Sequence, residues 1–367
     1  MRDHRWYPLG IFVVLVSLVA SGAGAAPGAR IALASIQSAG AAFEELASAR
    51  SPARAAAAAL LALQPRLPAP AAPGSRGFPA LYDPRVAARE AASAAPRAAD
   101  PEGTSSRSAI LPVLANNQIL AFYGKPGSKW MGILGEYPKE ELVRLLKGYA
   151  KLYDEENGEA GVVPALYIIY GTCWPEGEIG YLQDSVLREY IELASREGML
   201  VFVDHQIGKY PVEDAVRRLL PYLRYPNVHL ALDPEWRTTA PMQEIGSVGA
   251  EEINAAQRMI SDYLRAESLP GTKMLVVHQF KEKMIEGRSR VRADYERVAL
   301  VHTADGFGPP ALKRASYANN ARASNMPIKG FKLFFKTEVP GAGFDAPLLT
   351  PPEVLALDPR PSLVIYQ

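Results

Sequence analysis

Eight short, nearly continuous apolar runs lie between residue 119 and the end of the chain, and segments of helical periodicity separate them. The runs are 119–124 (ILAFYG), 162–170 (VVPALYIIY), 199–204 (MLVFVD), 228–233 (VHLALD), 273–278 (KMLVVH), 298–304 (VALVHTA), 329–335 (KGFKLFF) and 362–366 (SLVIY). Runs without apolar/polar alternation are what strands buried on both faces require. Between them, apolar residues recur at three- and four-residue spacing: Leu142, Leu145, Leu146 and Tyr149; Val186, Tyr190, Ile191 and Ala194; Val216, Leu219, Leu220 and Leu223; Ile253, Met259, Ile260 and Tyr263. That is the stripe by which a helix covers a sheet. Thr350-Pro351-Pro352-Glu353 spells a capping box with proline at the first helical position.

Strand and helix alternating to eight strands over about 250 residues predict an α/β fold of the (β/α)8 TIM-barrel type. An open doubly wound sheet would place a glycine-rich phosphate loop after its first strand. Here that loop reads YGKPGS (123–128), without G-x-G-x-x-G. The barrel so read, 107–367, lacks the last outer helix, because the eighth run ends one residue before Gln367. The lead-in at 78–98 is expected to cover that gap.

Arg2 and Arg5 precede an apolar run at 9–20 and the small residues SGAGAA at 21–26, the layout of a signal peptide. About 12 apolar residues are short for a span that needs about 20, so 1–26 is read as a signal peptide or N-terminal anchor. No cysteine follows it to accept a lipid. Residues 27–106 are rich in Ala, Pro and Arg, and Pro65, Pro68, Pro70 and Pro73 interrupt any periodicity, so this stretch is read as a largely disordered linker. The expected location is secreted or extracytoplasmic, in the cell envelope, with membrane contact only through the N-terminal segment if it is uncleaved.

The 40 basic residues balance 39 acidic ones, so no whole-chain field attracts nucleic acid. A single cysteine, Cys173, excludes a disulfide within the chain and a thiolate zinc site. It is read as a small, partly buried loop residue. The expected state is a monomer, and no cofactor is implied.

Active sites of this fold lie at the C-terminal ends of the strands, so the polar residues there are the candidates. They include Tyr123 on the first strand, Tyr170 and Trp174 on the second, Asp204 and Gln206 on the third, and Asp233, Glu235 and Trp236 on the fourth. His278 and Gln279 follow on the fifth, His302 and Asp305 on the sixth, Lys332 on the seventh and Tyr366 on the eighth. Residues two apart on a strand share a face, which directs Asp233 with Glu235, and Asp204 with Gln206, into the mouth. Clustered carboxylates raise one another's pKa, so one can serve as acid while another stays ionised. Glu235, Asp233, Asp305 and Asp204 are therefore the catalytic candidates. Tyr123, Trp174, Gln206, Trp236, His278, Gln279, Lys332 and Tyr366 are the substrate-binding ones. Acids with aromatic faces at a barrel mouth fit glycoside hydrolysis. Lys332 is read as a cation paired with the acids rather than a Schiff-base nucleophile.

The motifs FYGKP (122–126), MGILG (131–135), NVHLALDPE (227–235), VHQF (277–280), DGFG (305–308) and VIYQ (364–367) resemble a family of secreted or lipid-anchored bacterial barrel proteins, mostly actinobacterial. That resemblance covers 119–367 and brings no mechanism with it. A more distant one is to chitinase-like barrels, whose fourth strand ends in Asp-x-Glu with the Glu as acid. Only Asp233-Pro234-Glu235 matches, since Val228 and Ala231 stand where earlier aspartates of that run would fall. The retaining hydrolases that place a nucleophilic Glu after strand seven are not matched either, for Lys332 and Lys336 occupy that region.

Three functions stay open at this point: a hydrolase of a glycan or cell-envelope polymer, a metal-dependent hydrolase of phosphoester type using Asp204, Glu235, His278 and Asp305, and a non-catalytic barrel that binds a wall polymer.

Overall fold

The computed structural model describes residues 112–367. The signal segment, the linker and the helix-replacing lead-in lie outside the described residues.

Eight parallel strands close on themselves: β1 (Asn117–Gly124), β2 (Gly161–Cys173), β3 (Leu200–Gln206), β4 (Val228–Asp233), β5 (Lys273–Gln279), β6 (Val298–Ala304), β7 (Ile328–Leu333) and β8 (Leu363–Tyr366). Each pairs with its sequence neighbours, and β1 completes the ring by pairing with both β2 (Asn117↔Gly161) and β8 (Ile119↔Leu363). The expected closed barrel is therefore the observed one. Closure leaves no open sheet edge. Its interior is filled by every second residue, among them Ile119, Ala121, Val163, Ala165, Leu200, Phe202, Ala231, Val276, Val301 and Ile365. The alternate residues face the helices.

The helices are α1 (Lys139–Glu156), α2 (Asp184–Arg196), α3 (Val212–Leu219), α4 (Ala250–Ala266), α5 (Pro310–Ala321) and α6 (Pro351–Leu355). On α1 the buried stripe is Leu142, Leu145, Leu146, Ala150 and Tyr153, and each fully buried leucine contributes about 1.5–3 kcal/mol. On α2 it is Leu187, not Val186, that joins Tyr190, Ile191 and Ala194 in the buried stripe. The Thr350 box forms as expected: Glu353 accepts from both the Thr350 backbone N–H and its hydroxyl.

Two differences from the sequence reading have physical causes. No α-helix joins β5 to β6. Residues 280–297 form short helical turns and a two-residue strand instead, and side chains of neighbouring elements satisfy their backbone. Asn254 and Gln257 of α4 donate to the carbonyls of Arg290 and Arg292, and Asn325 donates to those of Arg288 and Val291. The second difference concerns β2, which runs on through Cys173 and pairs antiparallel with a short strand, Ile179–Tyr181. Cys173 is therefore a buried strand residue, not a loop residue, and burial pushes its thiol up to about 11.

Candidate functional site

The strand ends bring the predicted acids together. Asp204 lies on β3, Asp233 closes β4, and Asp305 directly follows β6. Glu235 sits two residues beyond Asp233, in the helical turn Pro234–Trp236, where Asp233 caps the turn and its Oδ1 accepts the Glu235 N–H at 3.3 Å. Asp204, Asp233 and Asp305 are buried, and Glu235 is half-buried at the rim.

Asp305 is the organising charge. Its Oδ2 accepts from His278 Nδ1 at 2.8 Å and from Lys332 Nζ at 3.2 Å, and its Oδ1 accepts the Gly306 N–H at 2.7 Å. Burial works against the anion, but the Lys332 and His278 charges and these three donors outweigh it and hold the carboxyl well below the usual range. Lys332 also lies 3.9 Å from the centre of the Tyr123 ring. Two residues earlier on β7 stands Gly330, where a Cβ would come 2.3 Å from Thr303 Oγ1. The lysine reads as the sequence proposed, a cation paired with an acid.

The other acids are driven the opposite way. Burial raises Asp233 to about 6, helped by Asp204 and Asp305 and opposed by His278 and Lys332. Burial raises Glu235 to about 8, and the Asp233 and Asp305 charges add to it against Lys332. Asp204 is also raised by burial, against His278 and a hydrogen bond that Tyr123 donates to Oδ2 at 2.9 Å. His278 is buried, which disfavours its charged form, yet Asp305 lifts it above its ordinary value. One mouth thus holds a carboxylate fixed as an anion and a carboxyl that keeps its proton at neutral pH.

The aromatic and amide candidates divide by strand parity. Tyr123 points inward, but its ring is enclosed by Lys332 and Tyr167 and only 2% exposed. It holds Asp204 and offers no face to a sugar, which corrects its assignment as a stacking residue. Gln206 braces the rim by accepting the Cys173 N–H at 2.8 Å. Trp174 and Trp236 are half-buried on the loops after β2 and β4, with the Lys125 ammonium 5.8 Å from the Trp174 ring centre. Gln279 and Tyr366 do not belong to the mouth. Each lies one residue out of step with the inward set and faces the helix layer. Gln279 pairs with His302 and Arg288, and Tyr366 with Tyr153, Tyr149 and Phe335. His302 faces outward with Gln279, and Tyr170 likewise bonds Asp184 and Arg218.

Tyr167 was missed. Its hydroxyl lies 2.6 Å from His278 Nε2, and its ring stacks on Phe202. Its parity with Val163 and Ala165 is readable in the sequence, but a second strand read to end at residue 170 directs attention to the outward-facing Tyr170 instead.

Both nitrogens of His278 are engaged, by Tyr167 and Asp305. Among the described residues no group of three or more His, Cys, Asp or Glu is arranged to hold a metal ion.

The mouth has a further common feature. Among the described residues, the large apolar side chains most open to solvent are Trp130, Tyr181, Tyr210, Met242, Phe307 and Leu312. All six lie on strand-to-helix connections or, for Leu312, in the first turn of α5. In the loop after β1, Gly132 adopts φ 93°, and a Cβ there would meet the Tyr123 carbonyl at 2.4 Å. The close return of chain that carries Trp130 therefore depends on glycine.

No family model and no curated protein matches the chain. Solved structures match at low identity. A chitinase from Chromobacterium violaceum is 12% identical over 59% of this chain and 68% of that one, with TM-score 0.35. A GH138 enzyme targeting pectin rhamnogalacturonan II is 13% identical over 68% of this chain, with TM-score 0.38, and the match spans only 34% of that longer protein. An endo-beta-1,4-glucanase from Xanthomonas axonopodis pv. citri is 12% identical over 68% and 86%, with TM-score 0.37.

Proposed function

We propose that this protein is a glycoside hydrolase of an exported type, acting on a glycan or cell-envelope polymer by carboxylate chemistry. The observation that carries the reading is the divergence of the mouth carboxyls. Glu235 is raised to about 8 and Asp305 is clamped as an anion by Lys332, His278 and the Gly306 N–H. Groups whose environments push their pKa values apart are what divided acid and base roles require.

In this reading Glu235 is the general acid. It holds its proton at neutral pH and stands at the rim, where a leaving oxygen can reach it. Asp233, raised to about 6, is ionised near neutrality and acts as base or nucleophile. Asp305 is unsuited to either task, because it already accepts from three donors and its charge is held between Lys332 and His278. It serves as the fixed negative charge that favours positive charge developing on the sugar ring. Tyr123 orients Asp204, and Tyr167 orients His278. The exposed aromatic side chains around the mouth supply flat faces for successive sugar units.

The test is release of reducing ends from a panel of bacterial and plant polysaccharides by the wild-type chain and by Glu235→Gln. Release by the wild type that the variant loses supports the reading and assigns the acid. Release that survives the substitution assigns the acid elsewhere, and silence across the panel from both proteins counts against hydrolysis.

A further inference from the structure

Carboxyls outnumber cations in the mouth, and the cations are already engaged. Lys332 and His278 both bond Asp305, which leaves Asp204, Asp233 and Glu235 without an ion-pair partner. Asp204 is wholly buried, and only its Oδ2 has a donor, the Tyr123 hydroxyl. Its Oδ1 is buried with no hydrogen-bond partner. A buried acceptor left without a donor costs about 1–3 kcal/mol, more when it is charged. Such an oxygen calls for a donor, and a ligand bound among the mouth acids is one that can supply it.

We propose that the sugar recognised here carries a free amino group, so that the polymer is a cationic, de-N-acetylated aminoglycan whose ammonium donates to Asp204 Oδ1. The inference rests on the glycosidase reading above and names the substrate class for that site. An ammonium brings three donors and a positive charge. It satisfies the orphan oxygen and offsets the unpaired charge of Asp233. A uronic acid adds a further anion beside that charge. A neutral hydroxyl supplies a donor but leaves the Asp233 charge uncompensated. An N-acetyl group replaces the ammonium by a bulkier uncharged amide.

The experiment measures calorimetric binding of the full chain, near neutral pH and low salt, to four probes: the β-1,4-linked glucosamine hexamer, its fully N-acetylated counterpart, cellohexaose and hexalysine. Glucosamine is expected to bind at least roughly tenfold more tightly than the other three. Asp204→Asn is expected to bring the two glucosamine forms to parity. Should that variant not fold, the wild-type salt series decides the matter, since an ion-paired ligand weakens as salt rises while cellohexaose does not. Tighter or equal binding of the N-acetylated or neutral hexamer overturns the proposal. So does absence of glucosamine-hexamer binding, or equal binding of hexalysine, which would show charge attraction without sugar recognition. Reducing ends are assayed in the same samples. Cleavage of the N-acetylated or neutral hexamer without preference for the amine sinks this inference and keeps the glycosidase reading. Amine-selective binding with no cleavage of any oligomer keeps the inference as a binding specificity and removes the glycosidase reading.

Discussion

The Lys332 ammonium lies 3.2 Å from the Asp305 carboxylate, with both side chains at most 5% exposed. Breaking a buried pair by removing one partner strands the other charge and costs about 3–5 kcal/mol, whereas removing both costs less. Lys332→Met is therefore expected to lower stability by roughly that amount. The double variant Lys332→Met/Asp305→Asn is expected to lose less than the sum of the single changes. Urea melts of the four proteins read the coupling directly. Additive losses would mean that His278 and the Gly306 N–H hold Asp305 without the lysine.

The two raised acids set the pH dependence of turnover. Activity needs Asp233 ionised and Glu235 protonated, so it falls below about pH 6 and above about pH 8. The limbs of kcat/KM belong to the coupled pair as a whole. Asp233→Asn is expected to abolish most activity, and Glu235→Gln to remove the alkaline limb along with at least about two orders of magnitude of rate. A profile that stays flat from pH 6 to 9 would sink the acid assignment.

The barrel was legible in the sequence because its strands are buried on both faces and its helices carry apolar stripes, as on α1. Helix α5 gave no such signal, because the residues it buries are Lys313, Tyr317 and Asn320. Lys313 Nζ donates to the carbonyls of Gly306 and Lys332, and Asn320 donates to that of Gln279. The hydrogen bonds of that face replace apolar periodicity. In the site, the acids were legible as strand-end residues, and Asp233 with Glu235 as a same-face pair. Tyr366 and Gln279 misled, because strand-end position alone does not give parity, and one residue of offset turns a side chain from the mouth to the helix layer. The Asp305–His278–Tyr167 chain joins three strands that are distant in sequence, so no local pattern announces it.

The exposed side chains of the mouth loops are expected to act on polymer binding and not on chemistry. Trp130 is 62% exposed and Phe307 44%, so truncation leaves the fold intact. Trp130→Ala and Phe307→Ala should each raise KM for a long polysaccharide by roughly 2- to 13-fold, the worth of an aromatic contact at about 0.5–1.5 kcal/mol. Their kcat on a short aryl glycoside should match wild type. Equal loss on both substrates would place these rings in the reacting subsite.

Keeping Glu235 protonated near neutrality has a stability consequence of definite sign. In the unfolded chain its carboxyl titrates at the ordinary value near 4.5, and in the fold at about 8. Between those values the folded state holds a proton that the unfolded state has released. Folding stability from this group is therefore complete at low pH and declines as pH rises from about 4.5 to about 8. Glu235→Gln removes the titration while keeping shape and a hydrogen-bonding amide. The variant is expected to melt above wild type at pH 8 and to match it near pH 4, the gap opening as pH rises. For a barrel of about 250 residues each kcal/mol recovered appears as about 2–4 °C in Tm, and partial solvent contact at the rim reduces the full value. Melting followed by circular dichroism across that range checks it. A variant that melts below wild type at pH 8 would mean that the carboxylate is stabilised in the fold, and Glu235 could not then hold the proton that the proposed acid must donate.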